Sequence, residues 1–128
     1  MDRTGRQALD SVELDPRFEA ELRRGVVQIV ALHLLRTPRY GYDLVRMLGA
    51  TGFAIEEGTL YPILRRFEKQ GMLTATWNTE GTRPLKYYVL SEAGCTLLVK
   101  MRAAWVQVRD ATDGALGADG ASREGVAS

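Results

Sequence analysis

The sequence predicts a mainly α fold of the α+β class, a winged helix-turn-helix followed by a C-terminal dimerisation helix. Three segments with apolar residues at helical spacing come first, and two short segments rich in Thr and aromatic residues follow them. A last helical segment carries an apolar seam that recurs every three or four residues. The length of 128 residues fits one domain with a sizeable core.

The composition is that of an ordinary globular protein. The formal net charge of +1 does not indicate a nucleic-acid partner, so such a partner must be argued from local charge clusters. The single cysteine, Cys95, cannot form an intrachain disulfide, which fits a reducing compartment. No apolar run approaches the roughly 20 residues of a membrane helix, and the N-terminus lacks the apolar centre of a secretory signal. We therefore expect a cytoplasmic protein without membrane contact.

The first helix is predicted from residue 15 to about residue 35. Residues 1–14 are polar and aperiodic, which predicts a flexible tail. Asp15 and Pro16 are preferred residue types at an N-cap and at the first helical position. The second half of this helix is apolar nearly all round, so we expect the helix to be central to the core. The residues that mark its helical spacing are Phe18, Leu22, Ile29 and Val30.

Glycine and proline residues divide the middle of the chain into two further helices. Thr37-Pro38 ends the first helix, and Gly49 and Gly52 end a short second one. The third helix is predicted to begin near Gly58, to tolerate Pro62 in its first turn and to end at Gly71 with a left-handed cap. A short helix and a tight connection before the third helix are typical of a helix-turn-helix.

A hairpin and one more helix complete the prediction. Residues 73–77 and 85–90 are predicted strands joined by a long turn. Ser91 is a typical N-cap for the last helix, which is predicted to reach about Asp113 and to end at Gly114. The predicted parts are a tail over 1–14, a winged helix-turn-helix DNA-binding domain over 15–90, a dimerisation helix over 91–114 and a disordered tail over 115–128.

The third helix has an apolar face and a basic face. The apolar face follows the spacing of a helix that packs on a core, with Leu60, Ile63, Leu64 and Phe67. The opposite face is polar, with Thr59, Tyr61, Pro62, Arg65, Arg66 and Lys69. Between positions 58 and 86 there are five basic and two acidic residues, so a nearly neutral chain has a local excess of positive charge.

This outer face suits the major groove of DNA. Arginine binds guanine through two hydrogen bonds, and lysine neutralises phosphate. The hairpin, with Arg83 and Lys86 near its tip, would form a wing that reaches the backbone or the minor groove. We therefore predict that the third helix is a recognition helix. The alternative is an ordinary solvated helix face.

Several motifs of the chain match one known family. Gly-Tyr-Asp-Leu at 41–44, Glu-Gly-Thr-Leu-Tyr-Pro-Ile-Leu at 57–64 and Glu-Lys-Gln-Gly at 68–71 resemble the PadR family of bacterial transcriptional regulators. Further matches lie at 22–25, 86–88 and 91–94. The resemblance covers roughly residues 21–109. The single C-terminal helix resembles the shorter subgroup of this family.

The resemblance implies a homodimer, built through the C-terminal helix, that binds double-stranded operator DNA and represses transcription. The residues implied in DNA contact are Thr59, Tyr61, Pro62 and Arg65 in the groove, Gly58 at a close backbone approach, and Tyr40 and Tyr42 on phosphates. For each of these last two tyrosines, the alternative is a ring packed in the core with its hydroxyl at the surface.

The last helix carries the predicted dimer seam. Its members alternate in steps of three and four, and they are Leu98, Met101, Trp105, Val108 and Thr112. A dimer is also expected because a palindromic operator requires two recognition helices. From the resemblance, Trp105 with Met101 is a hypothetical site for a flat hydrophobic effector between the two copies. The alternative is that Trp105 only packs the interface.

The remaining candidate groups indicate no catalytic site, cofactor or metal. His33, the only histidine, has no ligand partner at metal-binding spacing, so a core or interface position is expected. Cys95 lies near a helix N-terminus, which favours a thiol sensor, but Glu92 opposes the thiolate and a passive role is expected. Glu56 and Glu57 are adjacent on a turn and are expected in solvent. We therefore expect no enzyme.

The competing class is a winged helix that binds protein without binding DNA. Winged helices serve both purposes, so the fold does not decide between them. Protein-binding examples tend to lack basic residues on the outer face of the third helix. Arg65, Arg66 and Lys69 therefore favour DNA.

Overall fold

A computed structural model describes residues 11–127 of the chain, with side chains over 11–117. The elements in chain order are α1 Pro16–Leu34, β1 Arg39–Tyr40, α2 Gly41–Ala50, α3 Glu57–Lys69, β2 Leu73–Asn78, β3 Leu85–Leu90 and α4 Glu92–Ala127. This order confirms the predicted mainly α fold with a winged helix-turn-helix and a C-terminal helix. Of the predicted N-terminal tail, residues 1–10 lie outside the described residues, and 11–14 belong to no helix or strand.

Helix α1 begins as the sequence predicts but is only half buried along its length. The Asp15 carboxylate accepts a hydrogen bond from the backbone N–H of Arg17 at 2.9 Å, which confirms the N-cap. The expectation that Phe18 and Leu22 belong to the core is wrong, because their exposed fractions are 54% and 66%. The first half of α1 has the apolar spacing, but within the described part of the chain these two side chains stay exposed. The buried residues are Val27, Ala31 and Leu32 in the second half.

Helices α2 and α3 pack on the core through the predicted apolar residues. In α3, Leu60, Leu64 and Phe67 are buried, and Ile63 packs against them at the edge. The positive φ of Gly71, +82°, turns the chain from α3 into β2, as predicted for a left-handed cap. Helix α3 is therefore fixed by one face, and its other face is open.

The sheet has three antiparallel strands in the order β1-β3-β2. Strand β1 was not predicted, because two residues are too few to show a period. It pairs Tyr40 with Tyr87 of β3 and joins the start of α2 to the hairpin. The backbone N–H of Leu90 donates to the carbonyl of Leu35 at 2.9 Å, which attaches the end of β3 to the end of α1.

The junction between the sheet and α4 is closely packed around Ser91. Its hydroxyl accepts from the N–H of Gly94 at 3.0 Å, which confirms the predicted N-cap, and donates to the carbonyl of Gly71 at 2.6 Å. The N–H of Ser91 donates to the carbonyl of Met72 at 3.0 Å. A Cβ on Gly94 would overlap that same carbonyl oxygen. Only glycine therefore fits at this position of α4.

Helix α4 is longer than the sequence predicts. The predicted end at Gly114 is wrong, and residues 115–127, which were expected to be disordered, are helical. A glycine costs a helix only about 1 kcal/mol relative to alanine, and Gly114 does not adopt the positive φ that ends a helix. Among the described residues, no helix is both long and apolar enough to cross a membrane.

We expect Gly94→Ala to lower the free energy of unfolding by about 1–3 kcal/mol, because the new methyl group meets a backbone carbonyl that Ser91 already holds. The matched control is Gly114→Ala, which meets no atom within 4 Å and should raise stability by up to about 1 kcal/mol. Urea unfolding at one fixed protein concentration measures both variants. Equal midpoints for Gly94→Ala and the parent chain would contradict the close approach.

Candidate nucleic-acid interface

An open groove of about 1040 Å³ lies between the start of α2, the outer face of α3 and the β2–β3 hairpin. We call the hairpin, residues 73–90, the wing. Aromatic side chains line the groove, with Tyr40, Tyr42, Tyr61 and Trp77. Its charged lining residues are Arg65, Arg83, Lys86 and Glu57, so basic groups outnumber acidic ones. The groove thus combines ring surfaces with positive charge, in the place that the sequence predicts for DNA.

The outer face of α3 presents exposed residues on successive turns. They are Gly58, Thr59, Pro62, Arg65 and Lys69. Within the described part of the chain, the ion pairs include neither Arg65 nor Lys69, nor Arg83 on the wing. These three cations are therefore available to an anionic partner.

Tyr61 is held in the groove by a glycine. Its ring lies so close to Gly41, the first residue of α2, that a Cβ on Gly41 would overlap the ring. Burial raises the pKa of the Tyr61 phenol, and the nearby Glu57 and Tyr88 add to that shift. The phenol is therefore protonated at neutral pH and can donate a hydrogen bond.

The two tyrosines at the start of α2 differ in their surroundings. Tyr40 is half-buried, and its ring lies 5.7 Å from that of Tyr87, tilted by 57°. Tyr42 is 51% exposed, and the guanidinium of Arg46 lies 6.0 Å from its ring. Tyr40 thus packs partly within the protein, whereas the ring of Tyr42 is open to a partner.

Lys86 lies on the last rung but one before the turn of the wing, which agrees with its predicted position near the tip. It is opposite Trp77 in the strand ladder, and the turn occupies residues 79–84. Its Nζ donates to the Glu68 carboxylate of α3 at 3.0 Å, and this hydrogen bond raises the pKa of Lys86. The ion pair connects the wing to α3, and the charge of Lys86 is largely neutralised by Glu68.

Arg66 is exposed on α3, as predicted, but its guanidinium is directed toward α1 and does not line the groove. Its Nη2 donates to the side-chain oxygen of Gln28 on α1 at 2.6 Å, and its guanidinium lies 5.0 Å from the ring of Phe67. Arg66 is three residues after Ile63, which places it beside the apolar face. It therefore links α3 to α1, and Arg65 is the arginine of this pair that lines the groove.

A family model described as the transcriptional regulator PadR-like family matches residues 31–100, more than half of the chain. The chain belongs to the PadR-like family of transcriptional regulators. The matched residues run from the end of α1 through α2, α3 and the wing into α4. They include the groove, which confirms the resemblance drawn from the sequence motifs.

Individual PadR-like relatives agree with this assignment. The chain is similar to a solved PadR family transcriptional regulator from Eggerthella lenta, with 40% identity over 78% of this chain and 89% of that one, and a TM-score of 0.75. A solved PadR-like regulator from Bacillus cereus shares 26% identity over 75% of this chain and 96% of that one, at a TM-score of 0.68. The transcriptional regulator Rv3488 of Mycobacterium tuberculosis is 31% identical, over 66% of this chain and 79% of that one.

Two groove features of this PadR-like chain were missed in the sequence. Trp77 was treated only as a strand former, although it shares a strand face with Leu73 and Ala75. Glu68 was counted as an acid that reduces local charge, whereas it holds Lys86. The position of Trp77 could have been found from the alternation of side chains along β2. The contact of Glu68 with Lys86 could not, because it depends on how the wing packs on α3.

The predicted dimer seam divides into an inner and an outer part. Leu98 is buried in the core of its own chain, and Met101 packs against that core, so both face inward. Trp105 and Val108 are more exposed, at 38% and 59%. The Thr112 hydroxyl donates to the carbonyl of Val108 at 2.7 Å. The outer part of the seam is therefore more open to another surface than the inner part.

The side chains of the metal-ligand types do not cluster in the described part of the chain. There, no three His, Cys, Asp or Glu residues come together in a group that could hold a metal ion. His33 contacts Arg36, with Nε2 and Nη2 3.0 Å apart. Burial lowers the pKa of His33, and the charges of Arg36 and Arg102 lower it further. Cys95 is exposed at the start of α4.

The contact between Gly41 and Tyr61 predicts energetic coupling. Gly41→Ala should lower the free energy of unfolding by about 1–3 kcal/mol because the new methyl group displaces the ring. In a Tyr61→Ala background the same change should be neutral or stabilising, since alanine is the better helix former. A double-mutant cycle by urea unfolding should give a coupling of at least about 0.5 kcal/mol. Additive effects would show that the ring does not rest on Gly41.

Proposed function

We propose that this regulator binds double-stranded operator DNA with α3 in the major groove and the wing on the neighbouring backbone. The observation that carries the proposal is Arg65, which forms no ion pair in the described part of the chain, is exposed on the open face of α3 and lines an aromatic groove. A guanidinium without an internal carboxylate is free to bind guanine through two hydrogen bonds. Membership of a family of transcriptional regulators supports the same role.

Each exposed residue then has a separate task. Arg65 reads a base edge, with Thr59 and Pro62 on the same outer face of α3. Lys69 and Arg83 neutralise phosphates, Lys69 at the end of α3 and Arg83 on the wing. These proposed DNA contacts require no rearrangement of the protein, because the side chains are already exposed.

Residues at the start of α2 and of α3 add smaller contributions to DNA binding. Gly58 meets no neighbouring atom where a Cβ would stand, so a DNA backbone can approach it closely. Tyr61 offers its protonated hydroxyl, and Tyr42 an exposed ring and hydroxyl, toward phosphate. Tyr40, half-buried against Tyr87, lines the same groove, and its hydroxyl is proposed to contact phosphate as the family resemblance implies. A protein-binding module without DNA contact is the alternative function, and the exposed Arg65, Lys69 and Arg83 disfavour it.

Arg65→Ala should weaken binding to a duplex from the region upstream of the regulator's own gene by about tenfold or more, and relax the base preference at one position. Lys69→Ala should instead weaken binding to every sequence and flatten the salt dependence by about one unit of slope. Arg102→Ala, which removes an exposed charge from α4, is the matched control and should bind like the parent chain. Fluorescence anisotropy over a series of salt concentrations measures all three.

Two outcomes would contradict this proposal. If the parent chain binds neither its upstream duplex nor any duplex selected from a random pool, DNA binding itself is excluded. If the parent chain binds and Arg65→Ala binds equally well with the same base preference, Arg65 is not the residue that reads the operator.

The proposed regulator acts as a homodimer. Exposed apolar side chains lie on α1 and α4, which pack against each other within the chain. They include Phe18 and Leu22 on α1 and Trp105 and Val108 on α4. Side chains of this size contribute about 1.5–3 kcal/mol each when a second surface buries them fully. A second copy would cover them by two-fold symmetry and supply the second recognition helix for a palindrome.

We further propose that the protein represses transcription and that a flat hydrophobic effector releases it from the operator, as in the shorter subgroup of the family. Trp105 is exposed enough to meet a ligand at the proposed interface, and Met101 lies one turn before it. Repression follows from occupancy of the operator, and release requires an effector that binds the two dimer states with different affinity. Addition of the protein to in vitro transcription from its own promoter tests the sign of regulation.

Tryptophan fluorescence tests the effector and the dimer together. In a Trp77→Phe variant, Trp105 is the remaining tryptophan of the two in the chain, and planar cationic compounds should quench it saturably. Val108→Glu should place a charge in the proposed interface, give a monomer by light scattering and abolish the quenching. A folded dimer with no fluorescence response would exclude this effector class, and a monomeric parent chain would exclude the interface.

A further inference from the structure

Trp77 has an unusual position for a large apolar side chain. Along β2, Leu73, Ala75 and Trp77 share the face that points toward α3, because side chains alternate along a strand. Leu73 is buried and Ala75 packs against the core, but Trp77 lies beyond the edge of that core. It is 64% exposed. The ring therefore lies in the groove, largely open to solvent and outside the buried core.

The ring of Trp77 is nonetheless fixed relative to the recognition helix. Its partner in the strand ladder is Lys86, whose ammonium lies 5.9 Å from the ring centroid. That ammonium is bound to Glu68 of α3 at 3.0 Å. The chain of contacts runs from α3 through Glu68 and Lys86 to the indole. Trp77 is thus a pre-positioned surface at a set distance from α3.

The position of Trp77 along the wing determines which part of a bound DNA its ring can contact. Lys86 and Trp77 form the rung of the ladder that contacts α3, and the turn with Arg83 lies farther out. If α3 enters a major groove and the turn reaches the next backbone or minor groove, one sugar–phosphate strand passes between them. Trp77 faces that strand, flanked by the exposed Arg65 and Arg83, which favour an anionic occupant over an apolar one.

We infer that Trp77 is a DNA-contacting residue of the wing. Its ring packs against a deoxyribose of the strand between α3 and the turn, and its indole N–H donates to a phosphate oxygen. This inference rests on the proposed DNA-binding function and adds a contact that carries no charge. Because the ring neutralises no phosphate, its contribution to affinity should be independent of salt concentration.

The first experiment observes the ring directly. In a Trp105→Phe variant, Trp77 is the remaining tryptophan, and its quenching by acrylamide is measured with and without a duplex from the region upstream of the gene. Binding should shield the exposed indole and lower the quenching constant severalfold. If anisotropy shows that the duplex is bound while the quenching constant is unchanged, the inference is overturned. Shielding that appears without DNA, on raising the protein concentration, would assign the ring to a contact between copies and also overturn it.

The second experiment measures the contribution of the ring to affinity. Trp77→Ala should weaken binding by about tenfold at every salt concentration, so the salt slope stays parallel to that of the parent chain. Trp77→Phe should lose no more than about threefold, because an aromatic face remains. Thr76→Ala, exposed on the opposite face of the same strand, is the matched control and should bind like the parent chain.

The results separate the inference from the function on which it rests. Parent-like affinity of Trp77→Ala would overturn the inference and leave the DNA-binding function intact. A parent chain that binds no duplex would overturn both. A Trp77→Ala variant with a changed salt slope would show that the ring acts by positioning Lys86, which would also overturn direct contact. Thermal unfolding of each variant establishes that the fold is retained.

Discussion

The hydrogen bonds around Ser91 hold together the three parts of the molecule that matter for function. The Ser91 hydroxyl and N–H bind the carbonyls of Gly71 and Met72, the residues that lead out of α3. The same hydroxyl caps α4 through Gly94, and Gly94 itself is pressed against Met72. The end of α3, both strands of the wing and the first turn of α4 therefore meet within a few residues, so none can move far without the others.

The charge of the groove depends on which charged side chains are already paired within the protein. Glu68 neutralises Lys86 within the frame, and Gln28 holds Arg66 against α1. Arg65 and Lys69 on α3 and Arg83 on the wing form no ion pair within the described part of the chain. The net charge of +1 is therefore a poor guide to partners, because basic residues outnumber acidic ones in the lining of this groove.

Local signals in the sequence predicted the features that depend on neighbouring residues. The caps at Asp15 and Ser91, the apolar face of α3 and the turn at Gly71 all appear in the structure. Features that depend on distant packing were not predictable. Strand β1 has only two residues, so it shows no period in the sequence. Whether Arg66 reaches α1 depends on how the helices cross, which the sequence does not show. Gly114 failed as a stop signal because a glycine ends a helix only where the backbone turns left-handed.

The rigid junction also constrains how an effector could act in the proposed dimer. Helix α4 begins at Glu92, directly after Ser91, so rotating α4 against the wing would break the bonds of Ser91 to Gly71 and Met72. A ligand beside Trp105 would therefore change the relation between two copies more readily than the relation between α3 and its own wing. The two recognition helices would move as parts of rigid protomers, and the spacing between them would be the quantity under control. The operator would then sense the effector through half-site spacing, with each groove and its contacts unchanged.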